Sequence, residues 1–185
     1  MRVSLVFAPS ICLPNQIYHA LPLLAGALRA GGHEPRQVDL NLSAADLLLT
    51  DERTQRYFHR ALDEYRRHHA AEAPWRADLE PLLAQAEARK ELLRDPASCF
   101  LPGRFKDAFW GTVDALGVLY QFDEIVSPFR DSFVADIHDW IQRDPWTPLR
   151  DQYDEGLLDE VIAGDPGLVG ISVAFPEQAA EALRL

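Results

Sequence analysis

Two short, nearly unbroken apolar runs, one near each end of the chain, constrain the fold more than any other feature. Val3 to Phe7 reads V-S-L-V-F and Leu168 to Val173 reads L-V-G-I-S-V. Neither run alternates apolar with polar residues, as a strand with one wet face does. Runs of this kind belong to parallel strands covered on both faces. After the first run comes a loop, A-P-S-I-C-L-P-N, closed by Pro14 and Asn15. A helix follows over Ala20 to Ala30, with Leu21, Leu24, Ala25 and Leu28 on one face. Pro22 fits its first turn, where a missing N–H costs nothing. Gly31 and Gly32 end it. Arg36 to Leu40 then reads as a second strand. Strand, helix and strand in this order make a right-handed βαβ unit, with the first strand in the middle of the sheet.

From Ser43 the pattern changes to helices. They are predicted over Thr54 to Ala71, Asp78 to Leu93, Arg104 to Tyr120, Phe133 to Ile141 and Leu157 to Ile162, with Pro128, Pro145 and Pro148 in the loops between. In the third of these, Phe105, Phe109, Val113 and Leu116 mark the expected buried face. Asp165-Pro166-Gly167 makes a turn, the second apolar run forms the third strand, and Glu177 to Leu185 begins another helix. The expectation is one incomplete α/β domain over residues 1–185. Its doubly wound, Rossmann-like sheet core lies in 1–42 and 166–185, around a helical insertion at 43–165. Three parallel strands leave the third with an open edge, which calls for a continuation of the sheet or a partner that covers it.

Charge narrows the function classes. Lys and Arg number 18 against 29 Asp and Glu, a formal net charge of −11. That balance disfavours nucleic acid and anionic lipid surfaces as partners. Cys12 and Cys99 make neither a disulfide framework nor a zinc pattern, so a reducing cytoplasm is the expected setting. The apolar run after Arg2 is too short for a signal sequence or a membrane span.

The chemical motifs are sparse. A nucleotide site needs glycines in the first strand–helix loop, and Ala8 to Asn15 has none. Asp39 stands where a dinucleotide fold places its ribose carboxylate, but without those glycines it reads as a strand-end or cap residue. Glu64 and His68 have cation-clamp spacing beside His69, on a face rich in Asp63, Arg66 and Arg67, which reads as a solvated surface. Asp136-Ile137-His138 has carboxylate–histidine spacing inside a helical stretch and reads as surface or structural. Trp110, Trp140 and Trp146 read as core or interface residues rather than a stacking platform. No HExxH and no GxSxG elbow are present. Open α/β sheets bind ligands beyond the carboxyl ends of their strands. Ser10, Asp39, Asn41, Ser172 and Gln178 all fall at that end. Ser172 has two readings: a small hydroxyl that admits a large planar ligand, or a local partner for backbone.

Two stretches carry a family resemblance. One is Val3 to Leu42, with L-P-L-L-A-G-A-L-R-A-G-G-H-E and V-D-L-N-L; the other is Pro166 to Leu185, with G-L-V-G-I-S-V-A-F-P-E-Q-A-A-E-A-L-R-L. Together they resemble the N-terminal cobalamin-binding-like domain of B12-binding radical SAM proteins. The helical middle, through V-S-P-F-R and L-R-D-Q-Y, is similar to one branch of that family. The resemblance implies a flavodoxin-like sheet of five strands, of which this chain carries three. It also implies cobalamin at the carboxyl ends of the strands, against Pro9, Ser10, Asp39, Asn41, Ser172, Phe175 and Gln178. A downstream barrel would hold a [4Fe–4S] cluster and S-adenosylmethionine through CxxxCxxC, a motif this sequence lacks. The DxHxxG that supplies a cobalt ligand in many B12 domains is also missing from the first loop. Any cobalamin here is therefore expected to bind without a protein histidine on cobalt. The chain would be a cofactor- and substrate-binding module with no catalytic residues of its own. The alternative is a non-catalytic interaction module that takes a partner along its third strand.

Overall fold

The computed structural model describes residues 1–9, 18–68, 80–126, 138–139, 141–143, 146–174 and 178–185. They group into two compact units, Met1–Ala44 with Phe129–Leu185, and Ala45–Pro128.

The first unit holds the sheet. Strands β1 (Arg2–Phe7), β2 (Glu34–Asp39) and β3 (Leu168–Ser172) are parallel in the order β2-β1-β3. Val3 pairs with Pro35 on one side and Leu168 on the other, and Phe7 with Asp39 and Ser172. This is a partial Rossmann-like α/β sheet with β1 in the middle, as expected. Both faces of β1 are covered. Val3, Leu5 and Phe7 pack with Leu21 and Ala25 of helix α1 (Ala20–Ala30), and Ser4 and Val6 are buried on the opposite face. The α1 face is narrower than its spacing implies, since Leu24 is largely exposed. Gly32 (φ 76°) ends α1 in the left-handed region that favours glycine. Its N–H donates to Arg29 O and the N–H of His33 to Leu28 O, the two bonds of a Schellman cap.

The second strand begins and ends earlier than its apolar residues suggest. Leu40 is the first residue of helix α2 (Leu40–Leu48), because Asp39 Oδ1 accepts from Leu42 N at 3.0 Å and caps the new helix.

Ahead of β3, helix α7 (Pro148–Gln152) starts at a Thr147 cap, Oγ1 accepting from Arg150 N. A π turn, Tyr153–Leu157, follows, in which Gly156 takes φ 116°. Helix α8 (Leu158–Ile162) then leads into the turn at Gly164 and Asp165. Helix α9 (Gln178–Arg184) follows β3.

In the second unit, helix α3 (Asp51–His68) starts three residues before the apolar pattern does. Thr50 Oγ1 accepts from Arg53 N at 3.2 Å and caps it. The helix predicted over Asp78 to Leu93 is two pieces, α4 (Glu80–Leu83) and α5 (Ala86–Arg94). A reciprocal cap fixes the start of the second: Asp51 N donates to Glu87 Oε2 and Glu87 N to Asp51 Oδ1, both at 3.2 Å. Arg94 hydrogen-bonds Asp46, which holds its guanidinium above the usual arginine range.

Helix α6 (Pro102–Val126) corrects the expected buried face. Leu116 is buried, but Phe105 is 36% exposed and Phe109 and Val113 are half-buried. The buried positions are instead Ala108, Gly111, Ala115, Leu116, Val118 and Leu119. Small residues win because this face runs close to α5. A Cβ at Gly111 would lie 2.5 Å from Arg89 Nε. The large rings stack on one another at the rim, with Phe105 and Phe109 centroids 6.3 Å apart.

Candidate functional site at the strand ends

The carboxyl ends of β1 and β3 are tied together by side chains that sequence reasoning had set aside for a ligand. Gln178, buried at the start of α9, donates from Nε2 to Ala8 O at 2.6 Å and accepts at Oε1 from Ala174 N at 2.7 Å. One amide thus satisfies a carbonyl just past β1 and an N–H just past β3, groups that the ladder no longer pairs. Below it, Tyr153 donates to Glu181 Oε2 at 2.7 Å, and Arg184 meets Glu181 Oε1 at 3.2 Å. The carboxylate of Glu181 is buried, and these two donors compensate the charge.

Tyr18 lies over Phe7, ring centroids 4.5 Å apart at 29°. Ser172 Oγ donates to the Tyr18 hydroxyl at 3.2 Å. Ser172 therefore satisfies a neighbouring side chain rather than backbone. Asp39 caps α2, the cap role that the glycine-free loop predicts. Pro9 and Asn41 are both buried. Ser10 and Phe175 lie outside the described residues.

Strand ends do bring Ser172, Gln178 and Pro9 to one end of the sheet, beside Ala8, with Asp39 at the end of β2. Tyr18 and Glu181 belong to that end as well, and sequence reasoning missed both. An aromatic residue just ahead of the first helix was the only signal for Tyr18. A glutamate three residues after Gln178 in an amphipathic turn was the only signal for Glu181.

This arrangement bears on the cofactor. The side chains of Gln178 and Ser172, and one carboxylate oxygen of Asp39, are engaged in hydrogen bonds within the chain. His19, next to Tyr18, is exposed and makes no side-chain hydrogen bond with the described residues. Among the described residues no group of three His, Cys, Asp or Glu is placed to hold a metal ion.

The remaining motifs are surface or local features, or lie outside the described residues. His138 is exposed, its Nδ1 3.5 Å from Asp139 Oδ1, while Asp136 and Ile137 lie outside the description. So do His69, Trp140 and the side chains of Glu64 and His68. Trp146 donates to Asp151 Oδ2 at 3.1 Å, a local structural role, and Trp110 is exposed. Among the described residues no helix is long and apolar enough to cross a membrane.

The two edges of the sheet differ. The β2 edge carries Glu34, Pro35 and Arg36, the charges and proline that discourage strand addition. The β3 edge has neither charge nor proline, and Leu168, Ile171 and Val173 are 50%, 39% and 47% exposed there.

Compared with known proteins, the chain matches no family model, no curated protein and no solved structure.

Proposed function

We propose that this chain is a binding module of the cobalamin-binding-like kind found at the N-terminus of B12-binding radical SAM proteins, and that it performs no chemistry by itself. The contrast between the two sheet edges carries this reading. One edge is protected against further strands, while the other is bare and apolar, as the inner strand of a larger sheet would be. The resemblance supplies what would lie there: two further strands, and beyond them a barrel for the [4Fe–4S] cluster and S-adenosylmethionine. Cobalamin, when bound, supplies a reactive cobalt–carbon bond. This chain's own contribution is to hold its flank through the walls near Pro9, Ser10, Ser172 and Phe175. Binding by this chain is weak, because the strands beyond β3 would make much of the pocket.

Absorbance titration with hydroxocobalamin tests the reading. A saturable spectral change is expected. In the cob(II)alamin form, electron paramagnetic resonance should show no nitrogen triplet that His19→Ala or His138→Ala removes. Absence of any spectral change would overturn cobalamin binding and leave the second reading.

That second reading is an interaction module that takes a partner strand along β3 and holds no cofactor. The internal hydrogen bonds of Gln178 and Ser172 favour it, since they occupy those polar groups. Its mark is a peptide of strand character that protects the β3 amides from exchange when hydroxocobalamin has no effect.

A further inference from the structure

At the opposite end of the sheet, the amino ends of β1 and β2 and the turn before β3 enclose a cleft of about 410 Å3. Three arginines line it, Arg2, Arg29 and Arg36, together with His33 and one acidic residue, Glu34. On a chain of net charge −11 this is a local island of positive charge.

Two of the arginines are held in place by backbone. Arg36 Nη1 donates to Glu160 O and to Ala163 O, and Arg2 Nη1 donates to Gly164 O. These bonds cap the carbonyl end of α8, where a cation is favoured. They engage one nitrogen of each fork. The Nη2 of Arg2 reaches Asp165 at 3.6 Å, an exposed pair that contributes little. The Nε and Nη2 of Arg36 have no partner among the described residues. Arg29 caps nothing: its guanidinium bonds to no described residue, although it stands in the last turn of α1 beside the other two. His33 adds an independent sign of an incomplete environment, for its Nδ1 is buried with no hydrogen-bond partner.

We infer that this cleft is a binding site for a small phosphate monoester. A guanidinium presents a rigid fork of donors, and two of these forks are pinned before any ligand arrives. A phosphate dianion offers three oxygens in a tetrahedral array, to which donors can come from three sides. A carboxylate is planar and offers two. The volume lies within the range of small-molecule pockets and leaves room for an organic body beside the phosphate. The ligand is small rather than polymeric, because a chain of net charge −11 repels a nucleic acid or an anionic membrane.

Isothermal titration calorimetry with phenyl phosphate at 0.15 M ionic strength, on the full chain, tests the site. Saturable one-to-one binding is expected. Arg29→Gln should weaken it about tenfold, the loss of one charge-assisted hydrogen bond. Because the Arg29 guanidinium bonds to no described residue, the melting temperature of this variant should match that of the unmodified chain. Arg36→Gln should weaken binding as well, but it also removes the α8 cap, so Arg29→Gln is the deciding variant. Arg104→Gln, on an exposed arginine of the second unit, should leave binding unchanged. No saturable binding, equal binding by Arg29→Gln, or an equal loss in Arg104→Gln would each overturn the proposal. Tighter binding of citrate than of phenyl phosphate would overturn the ligand class.

Discussion

Gln178 offers the sharpest test of whether the strand ends serve architecture or a ligand. Replacing it with leucine keeps the volume roughly constant and removes both hydrogen bonds. The carbonyl of Ala8 and the N–H of Ala174 then lose their partner, and Ala8 is fully buried. Each native bond contributes about 1 kcal/mol net, and each buried group left unpaired costs roughly 1–3 kcal/mol. The leucine recovers part of this by burying hydrocarbon where an amide stood. The expected net loss is about 2–4 kcal/mol. With a urea slope of roughly 1–3 kcal/mol per molar, the midpoint falls by about 1–2 M. Far-UV circular dichroism reads the midpoint. Hydrogen exchange of the β1 amides shows whether the sheet is what opens. Gln178→Glu serves as the partner variant, since it keeps an acceptor for Ala174 but sets a carboxylate oxygen against the Ala8 carbonyl. A Gln178→Leu loss under about 0.5 kcal/mol with unchanged β1 exchange would refute the architectural role and return Gln178 to the ligand-binding set.

Other outcomes follow from the same packing. Tyr153→Phe should cost about 1–3 kcal/mol by thermal or urea unfolding, because Glu181 loses a buried donor; an unchanged midpoint would contradict this. Gln152 is fully buried with neither Nε2 nor Oε1 paired, so Gln152→Leu should raise the urea midpoint by the equivalent of about 1–3 kcal/mol, and a drop would contradict this. On α6, Leu116→Ala should cost about 2–5 kcal/mol and Phe109→Ala clearly less, and the reverse order in paired melts would restore the face expected from sequence. Ile171→Lys should leave the unfolding free energy within about 0.5 kcal/mol of the parent while lowering aggregation on heating, since a lysine guards an open strand edge.

Continuous apolar runs made the sheet legible in the sequence. Val3 to Phe7 and Leu168 to Val173 have no alternation to misread, and Gly31-Gly32 marks the end of α1 without ambiguity. Boundaries set by capping were harder to see. Thr50 and Asp39 decide where α3 and α2 begin, and neither stands out against an apolar pattern. The buried face of α6 was misjudged for a different reason. Hydrophobic size points to the phenylalanines, yet a close helix crossing selects Gly111, Ala108 and Ala115 and leaves the phenylalanines at the rim. At the strand ends, sequence located the right region and the wrong roles. A polar residue there reads equally well as a ligand group or as a partner for the first backbone groups past the ladder. Only distances such as the 2.6 Å from Gln178 to Ala8 separate the two.

The pairing of Val3 with Leu168 has a temporal consequence. During synthesis β1 and β2 emerge close together and can form their half of the sheet at once. The strand that completes β1 follows only after about 130 further residues, mostly helical segments with local contacts that form quickly. At ribosomal rates of about 5–20 residues per second, that interval lasts roughly 6–25 s. Throughout it the central strand of the finished sheet is still an edge, uncharged from Val3 to Phe7 and open to any extended chain it meets. Misassembly of this protein would start from that half-built sheet, and a chaperone that holds nascent chains would find its target there.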